Sequence, residues 1–541
     1  MSIESKIRTY RKEGFPKIRI SDQGDGTFRN PILYSDYSDP DVIRVGDEFF
    51  MVASSFSCVP GIPVLYSRDL VNWQIVNHVV DRIPFPEYGK PQHGRGIWAP
   101  SIRYHNEYFQ VFLPMPDEGL FMSKTKDPFG KWDPLVCIRK VRGWIDPCPF
   151  WDDDGSAYLV NAFAKSRIGF KSVLAISRMK PDGTDLLDEF RVVFDGNGRH
   201  PTIEGPKMYK RNGCYYISAP AGGVQTGYQV ILRSRNVYGP YEDKIVLHQG
   251  DSAVNGPHQG AWVELKNGET WFLHFQDAGA YGRIVHLQPV QWVDDWPMMG
   301  VDSNCDGIGE PVSQYTKPDM GKPCPVEVPD TSDDFNGQEL GMQWQWQANP
   351  EPDWYSLRDR KDHIRLFARN SLQQGKRILW NVPGLLLQKF PAPEFQVTVK
   401  MDFRPEFIGD QAGLAVMGVK YAYLAAGKAE EEGSWRLALI RGDGLKEEEY
   451  TAACIDMDSC PVYLQTTVSR DGKYAFHYST DGVNFLRIGG GFTAQKGQWI
   501  GAKMGIFCIS HQGKDSNGFA DFDWFLVEEI RGKQKAQAPQ N

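Results

Sequence analysis

The stretch NPILYSDYSDPDVIRVGDEFFMVASSF (residues 30–56) decides the fold once the rest of the chain is held against it. From Asp39 it passes through an Asp-Pro step into the apolar run Val42–Val45, turns at Gly46-Asp47, and continues into the aromatic run Phe49–Val52. That is the patterning and turn chemistry of a β-hairpin. Four later segments repeat the plan: APSIRYHNEYFQVF from Ala99, DPCPFWDDDGSAYLV from Asp146, EGPKMYKRNGCYYISA from Glu204 and HQGAWVELKNGETWFLHF from His258. Most are followed by a second pair of short strands, as in PVLYSRDLVNWQIV (63–76), LFMSKTKDPFGKWDP (120–134) and VILRSRNVYGPYED (230–243). Five such units of about four strands each predict a five-bladed β-propeller. Because the first strand of a blade lines the central channel, residues at equivalent blade starts meet at the axis. Asp39, Asp146, Glu204 and His258 are thereby expected in one place.

Outward from the repeat, the propeller is expected over 27–318, after an N-terminal extension at 1–26. The segment GIGEPVSQYTKPDMGKPCPVEVPD (307–330) reads as a tether, with the linker proper at 319–331. From Asp333 the pattern changes to strands with Asp-Gly turns, as in VYLQTTVSRDGKYAFHYSTDGVNF, which predicts an all-β sandwich over 332–530. A polar tail, 531–541, follows.

The composition is that of an ordinary globular protein, 41% hydrophobic and 24% charged over 541 residues. Its 16 Trp, 23 Tyr and 30 Phe suit strands, and flat rings also suit the C–H faces of sugars. A net charge of −8 with scattered basic residues leaves no electrostatic footprint for nucleic acid. No stretch approaches the roughly 18 apolar residues that span a bilayer, and the N-terminus lacks the apolar core of a signal peptide. Nine cysteines without a CxxC pair resemble neither a zinc site nor a disulfide framework, so a cytoplasmic location is expected.

Cleavage of a glycosidic bond needs one protonated carboxyl and one ionised carboxylate on opposite sides of the anomeric carbon. Asp39, Asp146 and Glu204, gathered by the repeat, can supply both and a tuning charge. The quoted motifs, together with GIWAPSIRYHNEYF (96–109), WIDPCPFWDDDGSAYLV (144–160), TIEGPKMYKRNGCYYI (202–217) and GRIVHLQPVQWVDDWP (282–297), resemble glycoside hydrolase family 43 over nearly the whole chain. The family comprises β-xylosidases and α-L-arabinofuranosidases. The resemblance implies Asp39 as general base, Glu204 as general acid, Asp146 as the residue that orients the acid and raises its pKa, and inversion by a single displacement. It also implies that the C-terminal half is a concanavalin-like jelly roll.

The same resemblance sets Arg283 against the terminal sugar, where a propeller-closing ion pair is the alternative. It makes Trp98 and Phe56 walls of the sugar pocket, and His258 a substrate-side residue beside a central calcium or an ordered water. No cofactor is required by such chemistry; a structural calcium held by His258 through water is allowed. The expected partner is an oligosaccharide, with release of xylose from β-1,4-xylooligosaccharides as the leading reading and removal of arabinose as the alternative. A fructosidase-type propeller is disfavoured because Ser38-Asp39-Pro40-Asp41 replaces its Asn-Asp-Pro-Asn-Gly segment; a non-catalytic sugar-binding propeller is disfavoured by retention of all three acids. A homo-oligomer is compatible with the architecture. DSNCDGIGE (302–310) is read as a turn, because no helices flank it and Ser313 stands at the twelfth position of its EF-hand-like start. Asp152–Gly155 is read as a solvated hairpin tip, Trp344, Trp346 and Trp354 as core, and HQGKDSNG (511–518) as a loop that closes over the funnel.

Overall fold

The computed structural model describes residues 3–370, 378–429, 434–458, 460, 462–511, 513 and 515–530; the polar tail lies outside them. Five antiparallel sheets, each of four consecutive strands, occupy residues 41–80, 101–139, 144–195, 207–247 and 258–299 and form blades 1 to 5 of a propeller. The turn chemistry is plainest in blade 4. There Arg211 pairs with Cys214 across Asn212-Gly213, both at positive φ (50° and 72°), as a two-residue type I′ turn demands. Blade 2 does the same at Asn106-Glu107, between His105 and Tyr108.

An apolar core fills each junction between blades. Phe50 and Val52 of blade 1 pack with Ile102 and Val111 of blade 2. Phe112 and Met122 meet Leu159 and Ala175, Val160 and Ile176 meet Ile217 and Val230, and Tyr216 and Ile231 meet Trp262 and Phe272. The ring closes where Ala261, Leu273 and Val285 of blade 5 pack on Met51, Leu65 and Trp73 of blade 1. No strand of one blade joins the sheet of another; burial, at ~1.5–3 kcal/mol for each fully buried large side chain, is joined at the closure by paired backbone hydrogen bonds between Leu33 and Val285. A short pairing of Thr27–Arg29 with Gln314–Thr316 adds a clasp.

The N-terminal extension packs on the C-terminal domain. Ile3–Glu13 forms a helix whose Ile3 and Ile7, one turn apart, pack on Tyr463, Trp524 and Leu526 of the C-terminal domain. That domain is a sandwich of two sheets. In one, strands 386–389, 503–510, 410–417, 420–428, 435–443 and 448–457 lie side by side; in the other, 364–367, 519–529, 395–404, 462–468, 473–479 and 486–493 do. The segment FQVTVKMDFR (395–404) shows why: Phe395, Val397, Val399, Met401 and Phe403 alternate into the core opposite Leu414, Leu424 and Ile506. Trp344, Trp346 and Trp354 belong to that core.

The two domains are sewn together. Val59 and Trp346 exchange backbone hydrogen bonds of 3.0 and 2.6 Å, and the Asn349 side chain bonds both the N–H and the carbonyl of Ile83 at 2.9 Å. Asp152, expected at a solvated tip, is held by Lys210 and Tyr215 of blade 4, whereas Asp153, Asp154 and Gly155 beyond it are exposed.

Candidate active site

Asp41, Ser101, Cys148, Lys207 and Gly260 occupy matching places in the first ladder of each blade, opposite Val52, Phe112, Val160, Ser218 and His274. Two residues upstream stand Asp39, Ala99, Asp146, Gly205 and His258. The sequence repeat puts Glu204 level with the two aspartates, and the register corrects this by one residue: its equivalents are Ser38 and Ile145. The reason is local. Gly205 takes the blade-start position at φ 58° and donates its N–H to Asp146 Oδ2 at 2.8 Å.

Asp39 and Asp146 themselves sit at φ 56° and 55°, each directly before a proline. A left-handed non-glycine residue costs ~1–3 kcal/mol, and a following proline favours extended backbone, so the fold holds both in place against local preference. They open on a cavity of about 330 Å³ that Glu204, Arg283, Phe56, Trp98 and Gln259 also line.

The three carboxyl groups have different surroundings. Asp39 accepts hydrogen bonds from Ser38 Oγ (2.7 Å), Ser54 Oγ (2.6 Å) and Arg283 Nη1 (2.9 Å), the setting of a carboxylate fixed in one rotamer. Glu204, 27% exposed along its side chain, is pushed up to about 8, first by desolvation within the cavity walls and then by the charge of Asp146. Asp146 is buried and raised to about 6 by desolvation, an effect opposed by the Gly205 N–H and reinforced by Asp39. Glu204 therefore keeps its proton at a pH where Asp146 has lost its own.

Arg283 reaches from blade 5 to Asp39, just ahead of blade 1, so it spans the ring closure and lines the cavity at once. All its side-chain bonds to Ser38 and Asp39 use Nη1, which leaves the rest of the guanidinium fork for a ligand. Phe56 and Trp98 stand 6.2 Å apart, tilted by 56°, as one aromatic wall.

His258 is buried beside Phe275, with Nε2 3.6 Å from Glu204 Oε1, beyond hydrogen-bond length. Burial and the Arg283 charge lower its pKa to about 3, so the ring is neutral. Calcium takes six to eight oxygen ligands. Among the described residues no group of three His, Cys, Asp or Glu converges to hold a metal, and a lone imidazole does not fit direct coordination of calcium.

The sandwich completes the cavity, through a loop that the sequence does not single out. Trp499, at φ 69° and 49% exposed, faces Trp98 at 6.2 Å and lines the same cavity. Asp36 explains how the loop is held: one oxygen accepts the Arg283 N–H and the other the Gly501 N–H, both at 2.8 Å. Gly501 lies so close to Gly282 that an added Cβ would stand 2.9 Å from its Cα. The Lys496–Asp277 ion pair (2.8 Å) and the Ala502 N–H to Ala280 carbonyl bond (2.7 Å) complete the seam. Of the segment 511–518, Ser516 and Asn517 instead bond Asp410 and Glu406 within the sandwich, and residues 512 and 514 lie outside the described ones. Asp36 and Trp499 were hidden from sequence reasoning, Asp36 as one polar residue among several in YSDYSDPD and Trp499 in a loop without periodicity.

Residues 28–297 match the family model described as glycosyl hydrolases family 43, and residues 332–528 match that of the beta xylosidase C-terminal concanavalin A-like domain. The β-xylosidase of Formosa agariphila is 33% identical over 554 residues, covering 94% of this chain and 91% of that protein. The chain belongs to glycosyl hydrolase family 43. A non-reducing end α-L-arabinofuranosidase of Bacteroides ovatus is 28% identical to this family-43 chain over 526 residues, 92% of it and 94% of the relative. The crystal structure of xylan β-1,4-xylosidase from Bacillus halodurans C-125 has a TM-score of 0.82 at 25% identity, over 93% of this chain and 100% of that one. The protein is a glycoside hydrolase.

Proposed function

We propose that the enzyme releases xylose from the non-reducing end of β-1,4-xylooligosaccharides by a single inverting displacement. The observation that carries this reading is the difference between Glu204, kept protonated, and Asp39, gripped as a carboxylate, across one small cavity. Glu204 gives its proton to the glycosidic oxygen as the bond to C1 breaks. Asp39 takes a proton from the water that attacks C1 from the opposite face, and Asp146 contributes the charge that keeps Glu204 protonated. Phe56 and Trp98 hold the terminal sugar, with the free part of the Arg283 fork on its hydroxyls. At about 330 Å³ the cavity lies at the small end of ligand sites, which suits a chain end better than a polymer lying across it.

Removal of terminal arabinose on the same site is the second reading, favoured by the named arabinofuranosidase among the relatives. We place the enzyme in the cytoplasm, acting on imported oligosaccharides, on the strength of its nine unpaired cysteines. Side-by-side turnover of aryl β-xylopyranoside and aryl α-L-arabinofuranoside, followed by proton NMR of the first-formed sugar, tests the assignment. Faster turnover of the xyloside with α-xylose appearing first is the expected result. First-formed β-xylose would overturn the single displacement.

The acid also sets the pH profile. Glu204 must be protonated, so activity is present below about pH 8 and is lost as pH rises through that value. Asp146→Asn removes the charge that raises Glu204 and is expected to move the alkaline limb of kcat/KM to lower pH. An alkaline limb that stays in place in the variant would show that Asp146 does not tune the acid.

A further inference from the structure

The rim of the cavity on the Glu204 side carries charge that hydrolysis does not use. Lys165, Ser166, Lys171 and Thr202 line it with Glu204. Lys171 Nζ donates to Thr202 Oγ1 at 2.7 Å, and the Thr202 N–H donates to Ser172 Oγ at 2.8 Å. Ser172 and Thr202 both adopt left-handed backbone, at φ 66° and 59°. Strain of this kind persists only where surrounding structure imposes it, and it gathers at ligand clamps. Other cations near the site have carboxylate partners: Arg283 pairs with Asp39, Arg167 with Asp117, and Lys207 lies 3.8 Å from Asp41. Among the described residues neither Lys165 nor Lys171 forms an ion pair. Lys171 even works against the acid, since its charge favours the ionised form of Glu204.

Two cations without a carboxylate partner, one of which opposes the acid, are matched by an anion on the ligand. Their side of the scissile bond follows from the chain: Thr202 is two residues from Glu204, and an acid that protonates the leaving oxygen stands beside the leaving saccharide. We propose that Lys165 and Lys171 form a carboxylate-recognition element in the leaving-group subsite, so that the favoured substrates are oligosaccharides whose leaving portion carries a uronic acid. This rests on the reading of Glu204 as the acid of a xylosidase.

The test compares kcat/KM for a xylotriose bearing a glucuronic acid on its middle unit with that for the same compound after reduction of the carboxyl group. The full-length enzyme is expected to favour the acidic compound by about 10-fold, the size of one charge-assisted hydrogen bond, and to lose preference with added salt. Lys171→Arg should keep the ratio, and the Lys165→Met/Lys171→Met double variant should bring it to unity. Because each ratio is taken on one variant, a general loss of activity cancels. A ratio at or below unity in the unaltered enzyme while plain xylotriose is hydrolysed, or a ratio that survives in the double variant, overturns this inference alone. Failure to hydrolyse any of the three compounds overturns the xylosidase reading and this inference with it.

Discussion

Glu204→Gln is expected to slow turnover of xylobiose about 10³-fold, within the range general acid catalysis supplies, while an aryl xyloside with a strongly acidic phenol loses far less. The difference comes from the leaving group. A sugar alkoxide cannot depart without a proton, whereas a stabilised phenolate can. Glutamine keeps the size of the side chain and removes the proton, so binding should change little and the loss should appear in kcat. Turnover measured across a series of phenols of graded acidity gives the test: in the variant, rate should fall steeply as the phenol becomes a poorer leaving group, and in the unaltered enzyme only weakly. A uniform loss across the series would place Glu204 outside the proton-transfer step.

What makes this residue legible is its repeat position, and the same repeat misplaces it by one residue. Hairpin turns such as Asn212-Gly213 and the alternation of Phe395, Val397 and Val399 are local, so the two all-β domains can be read from sequence. Asp39 and Asp146 share an Asp-Pro step and therefore align by eye. Glu204 does not, because Gly205 holds the blade-start position and only the ladder between Lys207 and Ser218 reveals the shift.

Other features depend on contacts distant in sequence. Ile3 and Ile7 mark a helix once Tyr463 and Trp524 are seen to receive them. Asp36 joins Arg283 to Gly501, 247 and 465 residues further along the chain, and nothing in the neighbourhood of any one of the three announces the other two. Trp499 enters the cavity lined by Asp39, Asp146 and Glu204 through that seam. A polar residue whose partners lie in a distant blade and in the other domain gives a periodicity search no signal, whereas core residues at period two give a strong one.

Asp39→Ala should differ from the Glu204 variant in kind. Activation of water is needed whatever group departs, so a loss of about 10³-fold or more is expected on xylobiose and on activated aryl xylosides alike. The substitution also removes the partner of a largely buried Arg283, whose side chain is 13% exposed beside an aspartate at 6%, and leaving such a charge unpaired destabilises a fold by roughly 3–5 kcal/mol. Loss of activity must therefore be separated from loss of structure. Azide does that, because an anionic nucleophile needs no base. Added to the folded variant with an activated aryl β-xyloside, it should restore turnover and give the α-xylosyl azide, attack having come from the face that Asp39 occupies. A β-azide would mean that the first bond was made by the enzyme itself and would overturn the single displacement. No rescue in a variant whose melting shows a folded protein would mean that Asp39 does more than take a proton, its grip on Arg283 being the remaining contribution.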